Sequence, residues 1–370
     1  MAKGKPLSPR SGPGWRSPRA TQPLRAGVIG TGMGRYHMQG YATHPRSELV
    51  AVCDLNLPEA KEFAAKYGAK HVFRNYRDLL AMDDLDLVSI AVPNHLHAEM
   101  AVAALKAGKD VLCEKPMAIK VADAEAMVKA AKQAKRRLAI NVVLRFFPLH
   151  QGLRDLVAAG RLGDVYYAKS HWIRRKGMPV VDFPQTGEMG RGDWFVQKRK
   201  SGGGALIDIG VHMLDLAWWL LGSPKPKSVL AGVYSELLPK RLAKVGVKGD
   251  VDDLAAALIK FDTGQTLQVE VSWDAFQEPY FGYQLFGTTG GARWANRAKT
   301  VTLFSDDRGG RATQKEFAGK KKTADSYHHF VDACLDRDLP LIASGEEILH
   351  VARMLEAIYT SQKTGRAVAL

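Results

Sequence analysis

The chain has 370 residues, 46% of them hydrophobic, which suits two domains with sizeable cores. Its formal net charge is +15, and residues 1–25 carry six of the basic residues and no acid. Three cysteines without metal-type spacing argue against disulfides and zinc, and no apolar run reaches the length of a membrane span. Basic clusters permit nucleic-acid binding on charge alone, but no aromatic residues are interleaved with them, so we disfavour that function.

Residues 1–23 are predicted to form a disordered basic tail, because they are rich in proline and almost free of large apolar side chains. They lack the apolar segment of a secretory signal. The tail is either an interaction segment or a misassigned start. Together with the odd cysteine count, these features favour a cytoplasmic location.

The segment 26–37, AGVIGTGMGRYH, predicts the opening of a dinucleotide-binding unit. An apolar strand breaks into a glycine turn, and a helical pattern follows. Glycines let the backbone approach a pyrophosphate, and the helix start offers free N–H groups. An ordinary surface loop is the alternative. We expect the cofactor to contact Gly30, Thr31, Gly32, Met33 and Gly34.

Asp54 ends the second strand-like run, about twenty residues after the glycine loop. An acid there accepts hydrogen bonds from the adenosine ribose and repels a 2′-phosphate, so we predict NAD over NADP. The loop departs from the usual pattern at Arg35, which stands where a third glycine is expected, one residue after Gly34.

Strand-like and helix-like runs alternate from residue 24 to residue 148. This alternation predicts an α/β Rossmann domain over 24–148, built on a doubly wound parallel sheet. The expected strands lie at 26–30, 48–53, 86–92, 110–114 and 138–143, and the expected helices at 57–66, 75–82, 95–108, 121–135 and 148–159.

Ligands of such sheets bind at the carboxyl ends of the strands. Lys115 is the sharpest candidate there, since it can contact the nicotinamide ribose and a substrate hydroxyl; a salt bridge with Glu114 is the alternative. Helix capping is the alternative for Asn94, His95 and His97. The residues expected to face the cofactor crevice are Pro93, Asn94, His97, Glu114, Lys115, Asn141 and Arg145.

The second predicted domain covers 149–370 and contains an almost wholly apolar helix over 206–221. A helix of this kind is buried, yet Asp208, His212 and Asp215 fall on one stripe of it. An Asp beside a His orients the ring and raises its pKa, as a general base near neutral pH requires. A structural Asp–His pair is the alternative. The glycines at 202–204 are expected to admit a flat ligand.

Beyond residue 226, apolar and polar side chains alternate in runs separated by turn signals. They predict an open antiparallel meander with helices on one face, hence an α+β domain. The uncovered face is a candidate subunit contact. The expected strands lie at 226–236, 251–262, 265–274, 280–287 and 300–304, and two helices at 324–337 and 344–362 precede a stop at Gly365.

AGVIGTGMGRYH, VAVCDLN, the EKP tripeptide and SGGGALIDIGVHMLDLAWWLLG together resemble the glucose–fructose oxidoreductase / inositol dehydrogenase family (Gfo/Idh/MocA) over residues 24–370. The resemblance implies a Rossmann domain and a second domain whose open sheet makes dimer or tetramer contacts. It implies that Lys115 contacts substrate and nicotinamide, that Asp208 binds substrate or tunes the base, and that His212 is the general acid/base. Substrate contacts are expected in the variable loops 173–200 and 276–283, with Arg174, Arg175, Trp194 and Tyr283 as candidates. Arg145, after the last strand of the first domain, is a further substrate candidate.

The expected reaction is hydride transfer between a sugar, cyclitol or related hydroxyl compound and NAD(P). His212, aided by Asp208, takes the hydroxyl proton, and Lys115 binds the hydroxyl oxygen. No metal is expected. Two alternatives remain: NAD-dependent glycoside cleavage by transient oxidation, and a non-catalytic sugar-sensing protein on the same fold.

Overall fold

The computed structural model describes residues 22–177, 193–244, 246–319 and 325–370. Apart from residues 22 and 23, the predicted tail over 1–23 lies outside the described residues. Within the described part of the chain, no helix is long and apolar enough to cross a membrane.

Strands and helices alternate along the first part of the chain, as predicted. The strands are β1 (Leu24–Ile29), β2 (Ser47–Cys53), β3 (His71–Phe73), β4 (Leu87–Ile90), β5 (Asp110–Glu114) and β6 (Leu138–Asn141). The helices are α1 (Gly34–Thr43), α2 (Leu57–Tyr67), α3 (Tyr76–Leu80), α4 (His97–Lys106) and α5 (Val121–Ala134).

The first sheet has the order β3-β2-β1-β4-β5-β6, and all its pairs are parallel. The predicted doubly wound sheet is therefore confirmed. The short strand β3 was not among the strands predicted from the sequence. The order reverses between β1 and β4, so the ligand crevice of such a sheet lies outside their carboxyl ends.

The second part of the chain forms a larger sheet with helices packed on one face. Its strands are β7 (Val165–Ile173), β8 (Pro226–Tyr234), β9 (Leu254–Phe261), β10 (Thr266–Ser272), β11 (Tyr280–Gly287), β12 (Gly291–Ala295), β13 (Val301–Asp306), β14 (Ala312–Phe317) and β15 (Val368–Ala369). The helices in this part of the chain are α6 (Pro148–Ala158), α7 (Lys198–Ser201), α8 (Val211–Leu220), α9 (Leu238–Lys244), α10 (Ser326–Leu335) and α11 (Gly345–Thr364).

The order of the second sheet is β14-β13-β12-β11-β7-β10-β9-β8-β15. The predicted open, mainly antiparallel sheet is confirmed, and β7, which lies in the middle of this sheet, pairs in parallel with β10. β7 precedes the segment in which strands were expected. The two closing helices are confirmed as α10 and α11, and Gly365 ends α11 in the left-handed conformation at φ 66°.

The last quarter of the chain returns to the first sheet. Phe330, Val331 and Cys334 of α10 pack in one core with Leu24 and Val28 of β1. Ala139 of β6 also forms an isolated β-bridge with Ser344, just before α11. The two sheets are thus tied together by helices as well as by the connection after β6.

Candidate active site

The glycine loop after β1 has three glycines, each with a different surrounding. Gly30 has φ +94°, and a Cβ there would collide with the carbonyl of Ala91. A Cβ at Gly34 would lie 2.9 Å from Val28, so Gly34 lets α1 pack close to β1. Nothing lies within 4 Å of a Cβ built at Gly32. Turn, packing and open approach are the three roles that a dinucleotide-binding loop requires, and Gly34 fills the packing role one residue early.

The loop is joined to the end of β2 through Thr31 and Asp54. The Thr31 N–H donates to Asp54 Oδ2 at 2.7 Å, and the Thr31 hydroxyl lies 2.9 Å from the same oxygen. That hydroxyl also lies 2.8 Å from Glu59 Oε2. Two carboxylates therefore flank the place expected to receive the adenosine ribose. The sequence reading missed Glu59, although Asn56 caps α2 and accepts from the Glu59 N–H, a recognisable helix-start pattern.

The segment after β4 supports the crevice wall from behind. Asn94 donates to the Ser201 carbonyl at 2.7 Å and so links the segment after β4 to α7. His97 is fully buried, and its two ring nitrogens lie 2.8 and 2.9 Å from the carbonyl oxygens of Pro116 and Val92, so the neutral ring donates its one N–H to one of them. Capping was the alternative for this segment, but no side chain caps the short 3₁₀ turn or α4 here. Pro93, partly exposed, precedes that turn.

Glu114, at the end of β5, belongs to a buried network that the sequence reading did not find. Its carboxylate lies 2.9 Å from His37 Nε2 and accepts from the Asn141 amide at 2.6 Å. His37 Nδ1 continues the network to the Ser89 hydroxyl, 2.8 Å away, and Ser89 meets Tyr41. Burial raises the pKa of Glu114, but the bonds from His37 and Asn141 outweigh it and bring the pKa to about 2. Glu114 and Asn141 thus lie behind the crevice surface and fix the strand ends.

Lys115, the next residue, reaches across to the helix of the second domain. Its Nζ donates to the backbone oxygen of Asp208 at 2.8 Å and lies 3.3 Å from Asp208 Oδ1. The indole N–H of Trp273 donates to the other carboxylate oxygen at 3.0 Å. The structure therefore brings Lys115 and Asp208 together, and His212 follows one turn after Asp208.

The helix that carries Asp208 does not start as a regular α-helix. Residues Leu206–Gly210 form a π-turn, closed by a hydrogen bond from the Val211 N–H to the Leu206 carbonyl. The predicted regular helix over 206–221 is thus wrong in its first turn. Asp215, expected on the same stripe, pairs with the buried Arg145 instead. Insertions of this kind are frequent at functional sites.

The pKa of His212 is lowered to about 3, chiefly by burial and then by the charge of Lys115. The expectation that Asp208 raises this pKa above its usual value is wrong, because the favourable charge of Asp208 is outweighed by both effects. His212 Nδ1 is buried and has no hydrogen-bond partner among the described residues. The ring lies 6.2 Å from that of Trp172 at the end of β7. The imidazole is therefore neutral at working pH.

The glycines at 202–204 serve the protein's own packing. A Cβ at Gly203 would collide with the Tyr359 hydroxyl, and a Cβ at Gly204 would collide with the backbone of Asp252. The Asp252 carboxylate also accepts from the Gly204 and Leu206 N–H groups, at 2.8 and 2.9 Å. The expectation that these glycines admit a flat ligand is wrong. Their missing side chains instead let the π-turn pack closely against the backbone of Asp252.

The remaining substrate candidates occupy very different positions. Arg145 is fully buried in an ion pair, and Tyr283 is fully buried in an aromatic cluster, so neither presents surface to a substrate. Arg174 stacks on the ring of Trp172 at 4.9 Å, beside His212, and Arg175 stacks on Phe276. Trp194 is partly exposed and stacks on Phe195. Most of the predicted loop 173–200 is residues 178–192, which lie outside the described residues.

A glycine loop, a strand-end acid and a Lys–Asp–His group at the carboxyl edge of a Rossmann sheet define a dinucleotide-dependent oxidoreductase. Two family profiles agree: the oxidoreductase family with NAD-binding Rossmann fold matches residues 24–142, and the GFO/IDH/MocA C-terminal domain matches residues 150–293. The chain belongs to the Gfo/Idh/MocA family of oxidoreductases. It is an enzyme with an NAD-binding Rossmann domain.

Individual relatives span nearly the whole chain. D-glucoside 3-dehydrogenase of Escherichia coli strain K12 is 32% identical over 368 residues, which is 96% of this chain and 100% of the relative. Levoglucosan dehydrogenase of Pseudarthrobacter phenanthrenivorans is 28% identical over 321 residues, 78% of each chain. Among solved structures, an oxidoreductase domain protein from Kribbella flavida has a TM-score of 0.81 at 26% identity, covering 94% of this chain and 99% of its own. Levoglucosan dehydrogenase in complex with NADH also gives 0.81, at 25% identity and the same coverage.

Proposed function

We propose that the chain oxidises a secondary hydroxyl group of a sugar or related polyol and passes the hydride to NAD⁺. The observation that carries this proposal is the ion pair of Lys115 with Asp208 at the carboxyl edge of the first sheet, with His212 one turn further along the helix. The relatives named for glucoside and levoglucosan oxidation support the substrate class.

The glycine loop and the strand-end acid would hold the cofactor. The open space at Gly32 would admit the pyrophosphate, the start of α1 would offer free N–H groups, and Asp54 would accept from the ribose hydroxyls. The remaining loop residues, Thr31 and Met33, would flank it. When bound, the nicotinamide supplies the hydride acceptor.

The protein's own contribution is to bind the hydroxyl and remove its proton. Lys115 donates a hydrogen bond to the hydroxyl oxygen and stabilises the negative charge that develops there. His212, neutral in the crevice, accepts the proton as general base. Asp208 stabilises the imidazolium that forms, because its carboxylate is held ionised by Lys115 and Trp273.

A panel of sugars, cyclitols and sugar acids, scanned for NADH formation, tests the proposal. Replacing His212 with Ala should lower turnover by about 10²- to 10⁴-fold, the usual contribution of a general base, with NAD⁺ binding retained. The matched control is His71→Ala, which removes an exposed histidine of β3 and should leave turnover unchanged. Near-normal turnover in the His212→Ala enzyme would refute the assignment.

The two alternatives make different predictions in the same panel. Glycoside cleavage by transient oxidation would consume glycosides without net NADH release. A sugar-sensing protein would bind NAD⁺ and sugar but convert neither. The joint presence of Lys115, Asp208 and His212 disfavours the sugar-sensing protein, and release of NADH separates net oxidation from glycoside cleavage.

We also propose a homo-oligomer that pairs through the open face of the second sheet. Leu230 and Leu258 are opposite each other in β8 and β9 and are 52% and 40% exposed. Beside them lies a groove of 770 Å³ lined by polar side chains such as Lys169, Glu270 and Arg293. Light scattering on the Leu230→Asp variant would test this, since a charge there should dissociate the oligomer.

The domain boundary and the location are further proposals. The boundary is placed near residue 148, between the two regions matched by family profiles. A cytoplasmic location is supported by three buried cysteines that are all free, as expected in a reducing compartment. Fractionation of the producing cells would test it.

A further inference from the structure

The Asp208 carboxylate is held by two groups that come from different sheets. Lys115 at the end of β5 takes one oxygen at 3.3 Å, and the Trp273 indole directly after β10 takes the other at 3.0 Å. Trp273 is fully buried, and it is absent from the residue set that the sequence pattern singled out.

Because each carboxylate oxygen has its own donor, the orientation of the Asp208 carboxylate relative to Lys115 is fixed. A carboxylate with no second donor is free to rotate toward a neighbouring ammonium, with which it makes a stronger, charge-assisted hydrogen bond. The indole N–H opposes that rotation. Lys115 instead makes its shorter bond, 2.8 Å, to the Asp208 backbone oxygen in the π-turn.

We propose that Trp273 is a positioning residue: its N–H holds the Asp208 carboxylate in place, so that Lys115 keeps a donor for the substrate hydroxyl and His212 keeps an ionised neighbour. This inference rests on the proposed function, since it assigns Trp273 a part in the same reaction. It concerns a side chain that acts through Asp208 and not on the substrate itself.

The electrostatics of Asp208 agree with this geometry. Burial raises the pKa of Asp208, but the charges of Lys115 and Arg174 and the Trp273 hydrogen bond outweigh it, and the pKa is lowered overall. Removing the indole N–H should therefore raise the pKa of Asp208. The acid limb of the kcat/KM profile should then move to higher pH.

Two substitutions separate the hydrogen bond from the bulk of the side chain. Trp273→Phe keeps an aromatic ring but removes the N–H, whereas Trp273→His keeps a ring nitrogen at the same distance from the backbone and removes bulk. We expect Trp273→Phe to lower kcat/KM by about tenfold or more, the usual size for a lost bond to a charged group, and to shift the acid limb. Trp273→His should retain the wild-type acid limb of the kcat/KM profile, because its ring N–H can still donate to Asp208. NAD⁺ affinity should be unchanged in both.

The matched control is Trp218→Phe, on the helix that carries His212. Trp218 is also buried, and its indole N–H donates to the Pro224 carbonyl at 2.7 Å, away from Asp208. Its loss should lower the melting temperature without moving the pH profile. If Trp273→Phe keeps the wild-type profile, or if Trp273→His shifts it as much as Trp273→Phe does, the proposal is overturned.

A measurement without turnover tests the contact itself. The chain has seven tryptophans, so seven indole N–H signals are expected in a proton–nitrogen NMR spectrum. Asp208→Asn should shift one of them strongly upfield, because an amide is a weaker acceptor than a carboxylate. No shifted indole signal would overturn the proposal even if the variants were unstable. Absence of sugar oxidation by the wild-type enzyme would instead refute the proposed function and leave the indole result standing.

Discussion

Asp54 and Glu59 give the adenosine end of the crevice its charge. The Thr31 hydroxyl has one proton and lies within hydrogen-bond distance of both carboxylates, so it can donate to only one of them at a time and both stay negatively charged. A 2′-phosphate placed there would face two negative groups at short range, which is costly at any realistic dielectric. The preference for NAD therefore comes from a pair of acids, of which the sequence indicated one.

We predict that Asp54→Asn narrows the preference for NAD over NADP by roughly tenfold, since it removes one of the two charges and keeps an oxygen to accept from the Thr31 N–H. The measurement is kcat/KM with each cofactor on one substrate. The double variant Asp54→Asn, Glu59→Gln should narrow the preference for NAD over NADP further. The control is Asp84→Asn, which changes an exposed acid paired with Arg25 and should leave this preference unchanged. Equal efficiency of the wild type with both cofactors would contradict the prediction.

At this scale the sequence indicated the residues that form the candidate site but not how their pKa values are tuned. Lys115, Asp208 and His212 could be found because the ends of parallel strands and a polar stripe on an apolar helix are local patterns. The direction of the His212 pKa could not, because it depends on burial and on Lys115, which is 97 residues away in the chain. Trp273 was missed for the same reason.

Arg145 belongs to the scale of elements, since it joins three of them. It follows β6, pairs with Asp215 of α8 at 2.7 Å, and pairs with Glu347 of α11 at 2.7 Å. Its guanidinium is fully buried, so its charge depends on both carboxylates. Removing one partner of such a cluster leaves an uncompensated charge in the interior.

We predict that Arg145→Ala lowers the free energy of unfolding by about 3–5 kcal/mol, because Asp215 is then buried without a partner. Arg145→Met combined with Asp215→Leu should cost less than Arg145→Ala alone, since the pair is removed together. Urea denaturation measures both. Arg353→Ala, which breaks an exposed pair with Glu125, is the control and should cost about 1 kcal/mol or less. If Arg145→Ala lowered the free energy of unfolding by no more than the Arg353→Ala control does, the prediction would be contradicted.

The elements were predictable to different degrees, and the difference has a physical cause. Strands of the first sheet are buried on both faces and read as short apolar runs between helices, which local sequence reveals. The strands β7, β12 and β14 have one face that is polar or partly exposed, as in VYYAKSHWI of β7, so their patterns are weak. The π-turn is set by the contacts of Asp252 and Gly204, which no helical periodicity contains.

At the scale of the whole molecule, the chain does not fold strictly in order. α10 packs on the first sheet although some 180 residues of the second part separate it from β6. Its core contacts have no local sequence signal, so only the overall α/β class and the two-part organisation could be predicted. The acid stability of the molecule is another property that depends on such distant contacts.

His150 illustrates this dependence. Burial lowers its pKa to about 4, and its ring is enclosed by Tyr283 and Trp294 from the second sheet. In the unfolded chain the pKa is about 6.5. Below that value the unfolded state binds a proton that the folded state does not, so the free energy of unfolding falls as pH falls. The contribution of the neutral His150 ring to the free energy of unfolding is fully present above about pH 6.5 and is lost as the pH falls to about 4.

We predict that His150→Asn makes the protein less sensitive to acid, although it is less stable at neutral pH because ring packing is lost. Asn keeps a side-chain N–H to donate to the Leu144 carbonyl, which His150 Nδ1 contacts at 2.7 Å. Between pH 7 and pH 4, the variant should lose about 3 kcal/mol less of its free energy of unfolding than the wild type, measured by urea denaturation at each pH. His71→Asn, at an exposed position, should follow the wild-type curve. Parallel curves for wild type and His150→Asn would mean that folding does not lower the pKa of His150, which would contradict the prediction.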